Sequence, residues 1–170
     1  MKENFESALI AALKSEGGFV NHPSDAGGAT NLGVTKKVWE AWIGKPVTVS
    51  DMRNITRAQI SPLYRKQYWD AVRGDDLPSG LDYLVFDFAI NAGASRAIKT
   101  LQKALSVADD GVFGNKTLDA VNKTDTTELI IKFSELKEQF YKSLPTFHVF
   151  GKGWMRRVAE AKTYAQKQIV

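Results

Sequence analysis

The chain has 170 residues, of which 44% are hydrophobic, 25% charged and 11% aromatic, with no cysteine. These proportions describe one ordinary domain, or one with a small appendage, that can bury a core. They exclude a disordered chain, a collagen-like fibre, a disulfide scaffold, a zinc ribbon and a cysteine nucleophile.

In chain order, Phe5, Leu9 and Leu13 recur at helical spacing with Ala8 and Ala12 beside them, predicting a helix over 5–15 with Asn4 as its N-cap. Gly17-Gly18 ends it. Residues 17–33 hold five glycines and a proline, a long irregular segment of the kind that carries function. Short strands are expected around Phe19-Val20 and Leu32-Val34. A helix follows Thr35 over Lys36 to Trp42, then a turn with a short helix from Thr48 or Ser50 to Ile55. Thr56 caps a helix running to about Trp69. Pro78-Ser79-Gly80 opens a very apolar helix, Leu81 to Ala92, and Ser95 to Leu105 forms another. Asp109-Asp110-Gly111 is a turn, and Lys116 to Val121 a short helix. Asp125 or Thr126 caps a long helix to about Ser143, with Leu129, Phe133, Leu136 and Phe140 as its apolar positions. Trp154 to Ile169 is the last. The fold class expected is mainly α, with at most a small β element near the N-terminal loop.

Net charge is +4 and is concentrated at one end. From Pro145 onward, Lys152, Arg156, Arg157, Lys162 and Lys167 stand against Glu160 alone. Such a helix is either a solvated face or a means of approaching an anionic surface: an envelope, a membrane or nucleic acid. No apolar run approaches the roughly 20 residues that span a bilayer. The opening Met1-Lys2-Glu3-Asn4 places an acid where a secretory signal has its basic end. The expectation is synthesis in the cytoplasm without a signal peptide.

There is no phosphate-binding Gly-Lys-Ser/Thr loop, no dinucleotide fingerprint and no His-Glu-x-x-His; His22 and His148 lie far apart. Carboxylates remain. Glu16 ends an apolar helix, where the negative end of the helix dipole disfavours ionisation, and Leu13 and Phe19 add desolvation in the same direction. A carboxyl held protonated in this way is suited to general-acid catalysis near neutral pH. Eight residues separate Glu16 from Asp25, and four separate Asp25 from Thr30. An acid with a second polar group that holds water is the minimal set for inverting glycoside hydrolysis. Each has a plainer alternative: Glu16 as a solvated helix end, Asp25 as a turn-forming residue, Thr30 and Thr35 as loop hydroxyls or caps.

The run from Glu16-Gly17-Gly18-Phe19-Val20-Asn21-His22 through Asp25-Ala26-Gly27-Gly28-Ala29-Thr30 to Thr35 resembles the signature of glycoside hydrolase family 108, peptidoglycan N-acetylmuramidases found as phage endolysins and as bacterial proteins once labelled secretion activators. Tyr64, Tyr68-Trp69, Leu77-Pro78 and Asp87-x-Ala89-x-Asn91-x-Gly93 resemble its middle segment and helix end. Leu101 to Leu105, Asp110 to Gly114 and Thr117 to Val121 look like a peptidoglycan-binding motif, and Gly153-Trp154 like the start of the family's last helix.

The resemblance implies a lysozyme-like helical domain with a catalytic part over 1–94 and a peptidoglycan-binding part over 95–170 packed on it, or the two as one continuous globular domain. It implies Glu16 as catalytic acid, and Asp25 or Thr30 as the group that orients water. Asn21, Tyr68, Trp69 and Asn91 are the expected glycan contacts; for Trp69 a core role, and for Asn91 a carbonyl-capping role, stand beside that. No metal or cofactor is implied. The partners expected are peptidoglycan glycan strands, with anionic envelope lipid against the basic C-terminal helix, no nucleic acid, and a monomeric enzyme. Action on the wall would follow release, through a holin pore if the protein is phage-encoded. A lytic transglycosylase forming anhydro sugars and a non-catalytic peptidoglycan-binding module are the rival readings.

Overall fold

The computed structural model describes residues 2–22 and 27–169. Helices dominate: α1 (Phe5–Glu16), α2 (Lys36–Ile43), α3 (Val49–Arg53), α4 (Arg57–Tyr64), α5 (Leu81–Ala92), α6 (Ala94–Ala104), α7 (Asn115–Lys123), α8 (Thr126–Lys142) and α9 (Phe147–Lys167). The sheet is a two-stranded antiparallel hairpin, β1 (Thr30–Asn31) and β2 (Val34–Thr35), with Thr30 opposite Thr35 and Asn31 opposite Val34. The chain forms two compact units. One is Leu9–Lys66; the other combines the chain start through Ala8 with the segment from Gln67 on.

In the Leu9–Lys66 unit, helix starts are set by hydroxyl side chains. Thr35 accepts from the Val38 amide, and Thr48 and Thr56 form reciprocal capping boxes with Asp51 and Gln59. Gly44, left-handed at φ 76, ends α2. Pro62 lies inside α4 and removes one ladder hydrogen bond; α4 then passes into a π-helical turn, Arg65–Trp69, where a continuous helix to Trp69 was expected. The hairpin is tied to α3 by Asn31, whose side-chain amide donates to the Met52 and Arg53 carbonyls at 2.9 and 3.1 Å.

In the other unit α5 is the centre. Leu81 through Ala89 are all buried, with α6, α8, α9 and the 3-10 turn Gly74–Asp76 around the helix. Phe5, Trp69 and Phe86 pack edge to face with centroids 5.3–6.0 Å apart. Gly80 has φ 91, and a Cβ there would run into the Ala165 carbonyl of α9, so only glycine lets α9 approach the start of α5. Two acids are buried in α5. Asp82 accepts the Gly80 and Tyr83 amides and the Asn4 side chain. Asp87 pairs with Lys137 of α8 at 2.8 Å.

Three expectations are corrected here. Asn4 lies in a 3-10 turn, and its side-chain amide reaches Ser79 and Asp82 instead of starting α1. Leu32-Gly33 is a turn, with φ 51 and 77, and the strands lie on either side of it. The last helix begins at Phe147, seven residues earlier than expected, because Gly151 is a packing position: a side chain there would meet the Phe147 ring.

Candidate active site

The candidate site is built from the end of α1 and the hairpin, both within the Leu9–Lys66 unit. α1 ends at Glu16, and Gly17 follows in the left-handed region at φ 74. The chain returns through Val20, which exchanges two 2.7 Å backbone hydrogen bonds with Thr30. Phe19 lies under the Arg53 guanidinium, 4.8 Å from ring centroid to charge. β1 and β2 are joined by Leu32-Gly33, both at positive φ, the signature of a tight type I′ turn.

Glu16, Tyr64 and Gly33 meet at that turn. A Cβ placed on Gly33 would lie 2.5 Å from the Tyr64 hydroxyl and 3.0 Å from Glu16 Oε2. The carboxylate and the phenol therefore converge on the spot that glycine leaves open. The Tyr64 hydroxyl donates to the Leu32 carbonyl at 2.8 Å, which holds the turn in its strained conformation. Glu16 itself is half-buried.

Gly33→Ala is expected to be costly twice over. Alanine at φ +77 is strained by about 1–2 kcal/mol, and its methyl would displace the Tyr64 hydroxyl or the Glu16 carboxylate. The melting temperature should fall by roughly 3–8 °C for a loss of that size. Thermal melts followed by circular dichroism would read this.

The other expected site residues are placed as follows. Thr30 is on β1, half-buried, in the same hairpin that Glu16 touches. Asn21 is exposed on the segment leading to that hairpin. Asp25 lies outside the described residues. Tyr68, Trp69 and Asn91 belong to the other unit. Tyr68 is half-buried. Trp69 is corrected to a core residue: its ring is fully buried, it donates to Asp75 at 2.8 Å, and Gly74 packs against its face. No ring face is left for a sugar. Asn91 is exposed at the end of α5, its side-chain amide donating to the Asp87 carbonyl at 3.1 Å.

Tyr64 enters the sequence reading only through its likeness to the family's middle segment, with no role at the candidate site. Beside Ile60 and Leu63 it reads as one more apolar position of α4, and it is indeed buried. Only the fold brings its hydroxyl to Glu16.

A mainly helical fold with a glutamate at a helix end, set against a short glycine-bearing hairpin, defines a lysozyme-like protein. The chain belongs to the glycosyl hydrolase 108 family, whose model matches residues 9–93. A second model, described as a predicted peptidoglycan domain, matches residues 96–159. The solved structure of Brucella abortus SagA is similar over nearly the whole length, with 41% identity, a TM-score of 0.87, and coverage of 99% of this chain and 97% of that one. No curated protein sequence matches the chain.

Proposed function

We propose that the protein is a peptidoglycan hydrolase that cleaves the β-1,4 bond between N-acetylmuramic acid and N-acetylglucosamine. The observation that supports this most is the placement of Glu16: a half-buried carboxyl at the end of α1, against a turn kept open by Gly33 and braced by Tyr64. A protonated Glu16 gives its proton to the bridging oxygen as the bond to the anomeric carbon breaks. The sugar ring becomes oxocarbenium-like, water adds, and its proton is passed on. Thr30 on the hairpin and Asp25 are the groups assigned to hold that water. Asn21, Tyr68 and Asn91 are assigned to the glycan. The catalytic part spans 1–94 and the binding part 95–170.

The product separates this reading from its rivals. Muropeptides released from purified walls should carry a new reducing end and the mass of an added water. Products lighter by one water would mean intramolecular attack, a transglycosylase. Retention on walls with no new reducing ends would mean a binding module.

A further inference from the structure

A second feature lies in the unit that contains α5. The ends of α5 and α8 and the first half of α9 enclose a groove lined by Asn91, Phe140, Tyr141, Leu144, Trp154 and Arg157. Its volume is about 230 Å³, below the ~300–1,000 Å³ of a drug-sized pocket, so it suits one sugar unit rather than a length of strand. The Tyr141 and Trp154 rings lie 5.3 Å apart at 31°, close to parallel, and both are half-buried. Phe150, 54% exposed, continues the row beside Trp154 at 5.7 Å and 35°. Half-buried aromatic rings on a groove offer apolar surface to the C–H face of a pyranose.

The charged side chain on the groove's lining is basic. Arg157 is exposed on its lining, and Arg96 lies over the Phe140 ring at 5.0 Å. Lys152 adds exposed positive charge along α9, where Arg156 is paired with Glu160 at 3.9 Å. Among the described residues no carboxylate lines the groove. Asn91 presents an amide that can pair with an acetamido group. A neutral glycan would need the rings and Asn91 alone; the guanidinium adds selection for a carboxylate.

We propose that this groove binds an acidic glycopeptide unit of the wall: a muramyl sugar packed against Tyr141 and Trp154, with the carboxylate of its peptide stem paired to Arg157. This rests on the peptidoglycan reading above. It assigns a wall-holding site separate in residues from the Glu16 turn.

The test is calorimetric titration of the full chain carrying Glu16→Gln, using a soluble disaccharide–tripeptide muropeptide as probe and chitotetraose, which has no carboxylate, as its neutral counterpart. Arg157→Gln should weaken the muropeptide by at least about tenfold, as loss of a charged hydrogen bond does, and leave chitotetraose unchanged. Trp154→Ala should weaken the muropeptide comparably, and Trp154→Phe, which keeps a ring in place, should restore most of it. Thermal melts confirm that each variant is folded. Muropeptide affinity unchanged in Arg157→Gln, or equal losses for both probes, would overturn the acid-selective groove. Arg157→Gln protein that loses binding to phosphatidylglycerol vesicles but not to muropeptide would make this surface a lipid contact and overturn it as well. If wild-type protein releases no reducing ends while the muropeptide results stand, the hydrolase reading fails and the groove remains.

Discussion

Replacing Glu16 by glutamine is expected to reduce the hydrolysis of purified walls at least a hundredfold, while leaving the protein folded. Glutamine keeps the shape and the polar contacts of the side chain, but an amide cannot give up a proton to a leaving oxygen. General-acid catalysis typically contributes about 10² to 10⁴ in rate, and without it an acetal oxygen must leave as an alkoxide. The half-buried position beside the Tyr64 hydroxyl and the Leu32-Gly33 turn leaves little room for water to replace the carboxyl. The measurement is release of reducing ends, with far-ultraviolet circular dichroism and melting temperature as controls. A folded Glu16→Gln protein with activity within about tenfold of wild type would remove Glu16 from the acid role, since that is less than the smallest contribution expected of one.

The largest stability effect is expected at Lys137. Its ammonium is buried, 2.8 Å from the Asp87 carboxylate, and lies 5.4 Å from the centre of the Phe88 ring. Lys137→Met fills nearly the same space but leaves Asp87 as an uncompensated charge inside the helical unit. Breaking such a pair from one side costs about 3–5 kcal/mol; for a chain of this size the melting temperature should drop by roughly 10 °C. The double variant Lys137→Met with Asp87→Leu should recover most of that loss, because replacing both members of a buried pair by apolar groups is often neutral or stabilising. Urea denaturation of the two variants and the parent tests both statements. A single variant within about 1 kcal/mol of wild type would show that the pair is solvated in the native protein, as exposed pairs are.

Lys137 also shows where sequence reading stops. The apolar positions of α8 are legible as Leu129, Phe133, Leu136 and Phe140, and the cap as Asp125 or Thr126; it is Asp125, accepting the Glu128 amide at 3.0 Å. The buried face nonetheless runs through Leu129, Phe133 and Lys137, while Leu136 is half-buried. A lysine at helical spacing reads as solvent-facing, because charge is rarely buried without a partner. The partner lies 50 residues away on α5, and nothing local announces it. Trp69 is the reverse case. Beside Tyr68 it reads equally as a sugar platform or as core; Phe5, Phe86 and Asp75 decide for core by enclosing the ring and taking its N–H.

The candidate site divides the same way. Glu16 at a helix end, the glycines after it and Thr30 beyond are all visible along the chain, because capping and turn formation depend on residues a few positions apart. So is the turn chemistry at Asp110-Gly111, where Asp110 accepts the Val112 amide and the Gln102 side chain and is held below the usual carboxylate range by those hydrogen bonds. Short-range patterns of hydrophobicity, caps and glycines thus determined the helical class, most element starts and the place of Glu16 at a helix end. Only the tertiary structure decided what surrounds that acid, which aromatic rings are enclosed, and which charges are paired in the interior. Those depend on which side chains distant in the chain are brought within a few ångströms, and burial, not local preference, sets the energy of each.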